Sequence, residues 1–111
     1  MKTYFYRGRY TSSAWRNLIA EPKDIGELLR ASIESFDGRV IGCYVLMSTE
    51  SIGFVEFPDD LSANAWCLNL SSQDGVDFAE IAPVVSTSDL MTSLQVAAKK
   101  TVALGGGSGG W

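Results

Sequence analysis

The feature that most constrains the fold is a pair of apolar segments, residues 39–47 (RVIGCYVLM) and 52–57 (IGFVEF), which a short polar stretch (STES) separates. Both are rich in residues that favour strands, and their spacing predicts a β-hairpin over residues 39–57. A sheet with one solvated face shows polar residues at every second position, whereas both faces of these strands are largely apolar. The sequence therefore predicts a hairpin that is buried on both faces. For the first strand, alternation places Val40, Gly42, Tyr44 and Leu46 on one face and Ile41, Cys43, Val45 and Met47 on the other.

The rest of the chain alternates between strand and helix patterns. Residues 3–10 and 76–85 alternate as strands do, and four stretches have apolar residues at helical spacing. In the clearest helix, Asp24 is expected to cap the start, and Gly38 is expected to be the left-handed residue that stops it. The helical stretches lie at 11–22, 23–38, 59–75 and 86–104, and in the third of them Ala63, Trp66, Cys67 and Leu70 are expected to face inward.

This order predicts an α+β fold, a ferredoxin-like βαββαβ sandwich with an extra C-terminal helix. A chain of 111 residues suits one domain, here residues 1–103, followed by a flexible Gly/Ser-rich tail at 104–111. The helices of such a sandwich cover one face of the sheet, so the other apolar face needs a different cover. In a chain this short the natural cover is a second copy, which predicts a dimeric α/β barrel, as a homodimer or a higher homo-oligomer.

Composition argues against several partners and chemistries. The net charge of −4 and the pI of about 4.6 argue against nucleic acid and against an anionic membrane surface. No apolar window is long enough to span a membrane and the N-terminus lacks a signal-like apolar region, which favours a cytoplasmic protein. The chain has no histidine, and Cys43 and Cys67 are expected to be reduced core thiols. We therefore predict no metal, no cofactor and no catalytic residue set.

Several stretches resemble the GYD-domain family of small ferredoxin-like, dimeric α/β-barrel proteins. They are Tyr10-Thr11 at the end of the first strand, Gly38 before the strand with Tyr44, "FPDDLSANA", and "APVVSTSDL" before the last helix. The resemblance covers roughly residues 3–100 and implies the fold and the dimer, but no activity. The Gly-x-Tyr-Asp motif that names the family is not kept, because the hairpin reads "MSTES" there, so no role of that motif is carried over.

Five residues are candidates for a ligand site between the sheet and the helices: Tyr6, Arg7, Tyr44, Glu56 and Trp66. Aromatic side chains are common in small-ligand pockets, and an arginine holds anions by paired hydrogen bonds. The aromatic residues are equally explained, and more often, as core or interface residues. Glu56 is either a general base with a raised pKa or a residue at a strand end, solvated or paired with Arg7 or Arg9; the second interpretation is favoured.

Three functions are consistent with these patterns. The first is an uncharacterised homo-oligomeric, GYD-like module without catalytic activity that binds a small apolar or aromatic ligand or serves in assembly. The second is a cofactor-independent oxygenase or isomerase of the dimeric α/β-barrel type, which rests on fold analogy alone. The third is a purely structural oligomer. A bound ligand would separate the first from the third, and turnover that depends on Glu56 would favour the second.

Overall fold

The computed structural model describes residues 1–47 and 49–100 of the chain, so the predicted tail at 104–111 lies outside the described residues. Four strands form one antiparallel sheet in the order β2-β3-β1-β4, accompanied by four helices. This α+β topology is compatible with a ferredoxin-like fold. The elements in chain order are β1 (Lys2–Tyr10), α1 (Ser12–Ala20), α2 (Ile25–Glu34), β2 (Arg39–Val45), β3 (Glu50–Phe57), α3 (Asp60–Ser71), β4 (Val76–Pro83) and α4 (Thr87–Lys99).

A polar side chain caps the start of every one of these helices. Asp24 accepts a hydrogen bond from the backbone N–H of Glu27, as the sequence predicts, and Asp59 rather than Asp60 caps α3. Each cap satisfies a backbone donor that the first helical turn leaves without an intrahelical acceptor. The remaining caps are Thr11 for α1 and Ser86 for α4.

The end of α2 differs in detail from the prediction. Asp37, not Gly38, adopts the left-handed conformation, with φ of 62°. The N–H of Gly38 then donates to the carbonyl oxygen of Ile33, the bond expected one residue beyond the left-handed position. Gly38 is required for a different reason: a Cβ atom at this position would lie 2.6 Å from Cε1 of Phe57 and 2.8 Å from Cγ2 of Ile33.

The core lies between the sheet and helices α2 and α3. Trp66 of α3 is fully buried, and its ring packs edge-on against Tyr6 with centroids 5.4 Å apart. Its Nε1–H donates to Oγ of Ser32 on α2 at 3.0 Å, which satisfies the only polar atom of a buried indole. The predicted inward face of α3 is confirmed for Ala63, Trp66 and Cys67, which are buried, whereas Leu70 is only partly buried against this core. The other buried apolar residues of this core are Tyr4, Leu29, Ile33, Val55 and Phe57.

The first strand of the hairpin, β2, is less regular than its alternation suggests. A bulge between Val40 and Gly42 shifts the side-chain alternation, so Val40 and Cys43 share the helix-facing side of the sheet. Gly42 and Tyr44 lie on the opposite face. The predicted face assignment of β2 was therefore wrong after Val40. In the single chain β2 is an edge strand and is not buried on both faces, since Tyr44 is 64% exposed.

Candidate functional site

The face of the sheet that points away from the core, here called the open face, is the first candidate site. Strand pairing arranges its side chains in rows that cross the sheet. One row is apolar across all four strands, and the next row runs from apolar to charged. In the strand order β2-β3-β1-β4, these rows are Gly42–Phe54–Phe5–Ala82 and Tyr44–Ile52–Arg7–Glu80.

Aromatic rings dominate the apolar part of the open face. The rings of Phe5 and Phe54 lie 5.6 Å apart, and Phe54 remains 44% exposed. Tyr44 is the most exposed aromatic residue in this part of the face. Exposed apolar residues that occur singly are ordinary, but a contiguous row is typical of an interaction surface.

Charged residues at one end of the open face neutralise each other within the chain. Glu50 is central: its Oε2 lies 3.2 Å from Arg9, and its Oε1 lies 3.4 Å from Nε of Arg7. Arg7 also pairs with Glu80 at 3.0 Å. The side chain of Glu50 is only 16% exposed, and its Oε1 makes no hydrogen bond with any described residue. A buried carboxylate is tolerated here because two guanidinium groups offset the loss of water.

Phe78 supports both arginines of this cluster. The guanidinium carbons of Arg7 and Arg9 lie 5.6 Å and 5.3 Å from the centroid of its ring. These distances suit cation–π attraction, which holds the two cations over an apolar surface. The charged end of the open face is therefore an ordered layer above an aromatic ring.

At the other end of the face, Glu56 forms an ion pair with Arg39. Nε of Arg39 donates to Oε1 of Glu56 at 2.8 Å, and a second nitrogen of the same guanidinium reaches the same oxygen. The two residues are direct partners across β2 and β3. The interpretation that Glu56 is paired is thus consistent with the structure, but the expected partners, Arg7 and Arg9, were wrong. Both of those arginines pair with Glu50 instead.

The five candidate residues do not lie on one side of the sheet. Tyr6 and Trp66 belong to the core, with 1% and 0% of their surface exposed. Arg7, Tyr44 and Glu56 lie on the open face, as their register with outward-facing partners shows. The sheet therefore separates the candidates into two groups, and a single ligand between sheet and helices does not contact all five. Their role in ligand binding stays a prediction.

A small polar group lies within the core beside Tyr6. The Tyr6 hydroxyl lies 3.3 Å from Oγ of Ser51, which is itself buried, and Cys43 lies close to the same hydroxyl. Burial, and next the hydrogen bond with the Cys43 thiol, raise the pKa of Tyr6, whereas Ser51 opposes the shift. The phenol therefore stays neutral and acts as a structural hydrogen-bonding group. Neither Cys43 nor Cys67 forms a disulfide.

A cleft on the helix side of the protein is the second candidate site. It has a volume of about 620 Å³ and lies between α1, α2, the C-terminal end of α3 and the turn before β4. Its walls are mainly apolar and carry a few neutral amide and hydroxyl groups, while Asp74 is the one charged residue among the described lining residues. The apolar walls include Leu18, Ile25, Leu28 and Leu70, and the polar groups include Asn17 and Gln73.

Sequence reasoning did not nominate any residue of this cleft. The cleft exists because α1 has no buried residue and stands beside α2 and α3 without closing the space between them. Three of its apolar residues, Leu18, Ile25 and Leu28, lie at helical spacing within the predicted helices at 11–22 and 23–38, a pattern that is typical of core residues. The amides of Asn17 and Gln73 carry no pattern that marks them. The only available signal was that the helical stretch 11–22 is short and weakly apolar.

Within the parts of the chain that the structure describes, no cluster of three or more metal-ligating side chains occurs. Among the same residues, no helix is both long and apolar enough to cross a membrane. Compared with models of known protein families and with curated protein sequences, the chain matches none of them. The resemblance to the GYD-domain family therefore stays a prediction.

Proposed function

We propose that this protein is a homodimeric module in which the open faces of two sheets pack against each other, which gives a ferredoxin-like, dimeric α/β barrel. The observation that carries the proposal is the apolar row Gly42–Phe54–Phe5–Ala82, which crosses the whole sheet and is not covered by any described helix. A two-fold axis lets one such patch cover its own copy.

Charge favours a second copy over an unrelated partner. The open face carries three arginines and three glutamates, and every one of these charges already has an opposite partner within its own chain. The two open faces therefore meet without net repulsion between them and without leaving a charge unpaired. A partner with a strong net charge would gain little from a surface that is neutral overall. The six residues are Arg7, Arg9, Arg39, Glu50, Glu56 and Glu80.

The test combines sedimentation equilibrium with two open-face variants. The unchanged protein is expected to have about twice the 12.0 kDa mass of one chain at micromolar concentration. Tyr44→Lys and Phe54→Lys place two additional cations at the interface and should shift the mass toward one chain. Tyr44 is 64% exposed, so its substitution leaves the core untouched and keeps the test valid if Phe54→Lys fails to fold.

Leu68→Lys is the matched control, because Leu68 is 63% exposed and lies on α3, on the helix side of the sheet. It should leave the mass unchanged. A wild-type protein that has the mass of one chain would overturn the proposal, as would dissociation by Leu68→Lys with no effect of the two open-face variants.

Small-molecule binding is a second candidate function, which the interhelical cleft favours. Its volume of about 620 Å³ is within the range of small-ligand sites. Its apolar walls with neutral amides, and with Asp74 as the only described charge, suit an apolar or aromatic molecule without negative charge. Nile red, a neutral apolar dye, is a suitable probe. The fluorescence of the dye should increase when the wild type or Leu68→Asp is added. The increase should be smaller with Leu28→Asp, because this substitution places a carboxylate in an exposed wall of the cleft. Equal dye binding by all three proteins would exclude the cleft.

A further inference from the structure

Helix α4 has an apolar stripe that the described part of its own chain leaves exposed. The helix begins with a regular cap, since Oγ of Ser86 accepts a hydrogen bond from the N–H of Asp89, and none of its residues is buried. Leu90, Met91 and Leu94 fall on one side at helical spacing, with 49%, 58% and 56% of their surface exposed. Such a stripe is typical of a helix that packs on another surface.

A helix of this length is marginal in water without tertiary contacts. Thr87–Lys99 has 13 residues, and isolated helices shorter than about 12–15 residues are only partly formed. The pattern, the cap and the basic residue of its last turn, Lys99, all favour a helix. An external surface that covers the stripe would complete its stabilisation.

The start of α4 adjoins the open face. The N–H of Val84 donates to the carbonyl oxygen of Thr3 at 3.0 Å, which fixes the chain beside β1 immediately before the helix. A hollow of about 610 Å³ is lined both by Thr3 and Phe54 of the open face and by residues 84–87 and Asp89. A second chain seated on the open face therefore meets the beginning of α4.

The flat area of the open face, a lower bound on its accessible area, indicates that a dimer would gain from a further contact. Paired strands about 24 Å long, in a sheet about 19 Å wide, offer roughly 450 Å² of flat area per copy, or about 900 Å² for two copies. Stable interfaces usually bury more than about 1,200 Å² in total. Helix α4 begins at the rim of this face, so its apolar stripe can add to the buried area.

We propose that α4 is an intersubunit arm, whose Leu90–Met91–Leu94 stripe packs on a second copy of the chain rather than on its own subunit. This inference rests on the proposed homodimer. Charge supports a second copy as the occupant: Asp89, Lys99 and Lys100 give the arm a charge of +1, so the remainder of the chain, whose total is −4, carries −5. The basic end of each arm is thus attracted to the acidic partner.

Two substitutions on opposite sides of α4 test the arm. Leu94→Asp changes the stripe, whereas Val96→Asp changes the opposite side of the same helix at nearly the same exposure, 56% against 53%. Both place the same carboxylate near the middle of the helix. Leu94→Asp should raise the dimer dissociation constant at least about tenfold, and Val96→Asp less than about twofold. Circular dichroism of both variants checks that their helix content is equal.

A crosslinking experiment identifies the surface that the stripe contacts. A photoreactive residue at position 94 or 96 is introduced into the full chain, and isotope-labelled and unlabelled chains are mixed before illumination. Mixed-isotope crosslinks are expected from position 94 and not from 96. Crosslinks from 94 that stay within one chain, or that reach only residues 101–111 of the same chain, would overturn the arm.

The two proposals fail in different ways. If the wild type is dimeric and Tyr44→Lys dissociates it, while Leu94→Asp and Val96→Asp leave it unchanged, the arm is excluded and the sheet-face dimer stands. If the wild type has the mass of one chain, the proposed function is excluded and the arm with it.

Discussion

Adjacent substitutions at the end of α2 should change stability in opposite directions. Asp37 holds a left-handed conformation with φ of 62°, in which an L-residue is strained and glycine is not. Gly38 has ordinary backbone geometry but no space for a side chain. We therefore expect Asp37→Gly to raise the free energy of unfolding and Gly38→Ala to lower it.

The magnitudes follow from the local geometry. A left-handed conformation costs most residues about 1–2 kcal/mol, and it costs less for Asp, which adopts it more readily. Unfolded glycine is more flexible by about 0.5–1 kcal/mol, so Asp37→Gly should gain at most about 0.5 kcal/mol. For Gly38→Ala, the new Cβ would lie 2.6 Å from Phe57 and 2.8 Å from Ile33, both fully buried. Both side chains are enclosed in the core, and overpacking of this kind costs about 1–3 kcal/mol.

Urea denaturation followed by circular dichroism measures both changes, at one fixed protein concentration because the proposed dimerisation would contribute to apparent stability. With a slope of about 1–2 kcal/mol per molar urea, the midpoint should rise by a few tenths molar for Asp37→Gly and fall by about 1 M for Gly38→Ala. A neutral Gly38→Ala, or a destabilising Asp37→Gly, would refute this account of the helix end.

Three further predictions concern buried polar groups. Burial, and next the hydrogen bond to Asp60, raise the pKa of Tyr4 from 10.0 to about 12. The stabilising contribution of the neutral Tyr4 phenol is therefore complete below pH 10 and is lost between pH 10 and pH 12. Tyr4→Phe should reduce the loss of stability over that pH range, as measured by thermal melts at a series of pH values. Ser32→Ala leaves Nε1 of Trp66 without its acceptor and should lower the free energy of urea unfolding by about 1–2 kcal/mol, whereas exposed Ser12→Ala should not. Glu50→Gln leaves two arginines without their shared carboxylate and should lower the melting temperature; an unchanged value would show that the cluster contributes nothing.

The sequence was sufficient for the order of the elements, because their signals are local. Helix caps such as Asp24 and the inward face of α3 follow from spacing over a single helix. Strand β3 alternates regularly, with Val55 and Phe57 buried on the helix side and Phe54 on the open face. In each case the local pattern and the tertiary packing favour the same structure.

Pairing between strands could not be predicted from the same information. The bulge after Val40 has no sequence marker, and it reverses the faces of the residues that follow it. The partner of Glu56 depends on the register of β2 with β3, which places Arg39 opposite it. One error was avoidable, since Tyr6 and Arg7 are consecutive in a strand and consecutive side chains point to opposite faces.

The helical spacing in α4 places Leu90 and Leu94 on one side of the helix but does not indicate what covers them. Apolar residues at helical spacing indicate that one side of the helix is apolar, but they do not indicate which surface packs against that side. The interhelical cleft is a similar case, because it depends on how far α1 lies from α2 and α3. Both features are properties of packing between elements, which a single sequence specifies only indirectly.

The mass of the unmodified protein in solution tests the central claim most directly. Sedimentation equilibrium over a range of concentrations should give about twice 12.0 kDa. Salt should weaken only the proposed attraction between the basic end of α4 and the partner, because the ion pairs of the open face lie within each chain. A well-folded protein that keeps the mass of one chain at high concentration, with the apolar row of its sheet open to water, would contradict the account.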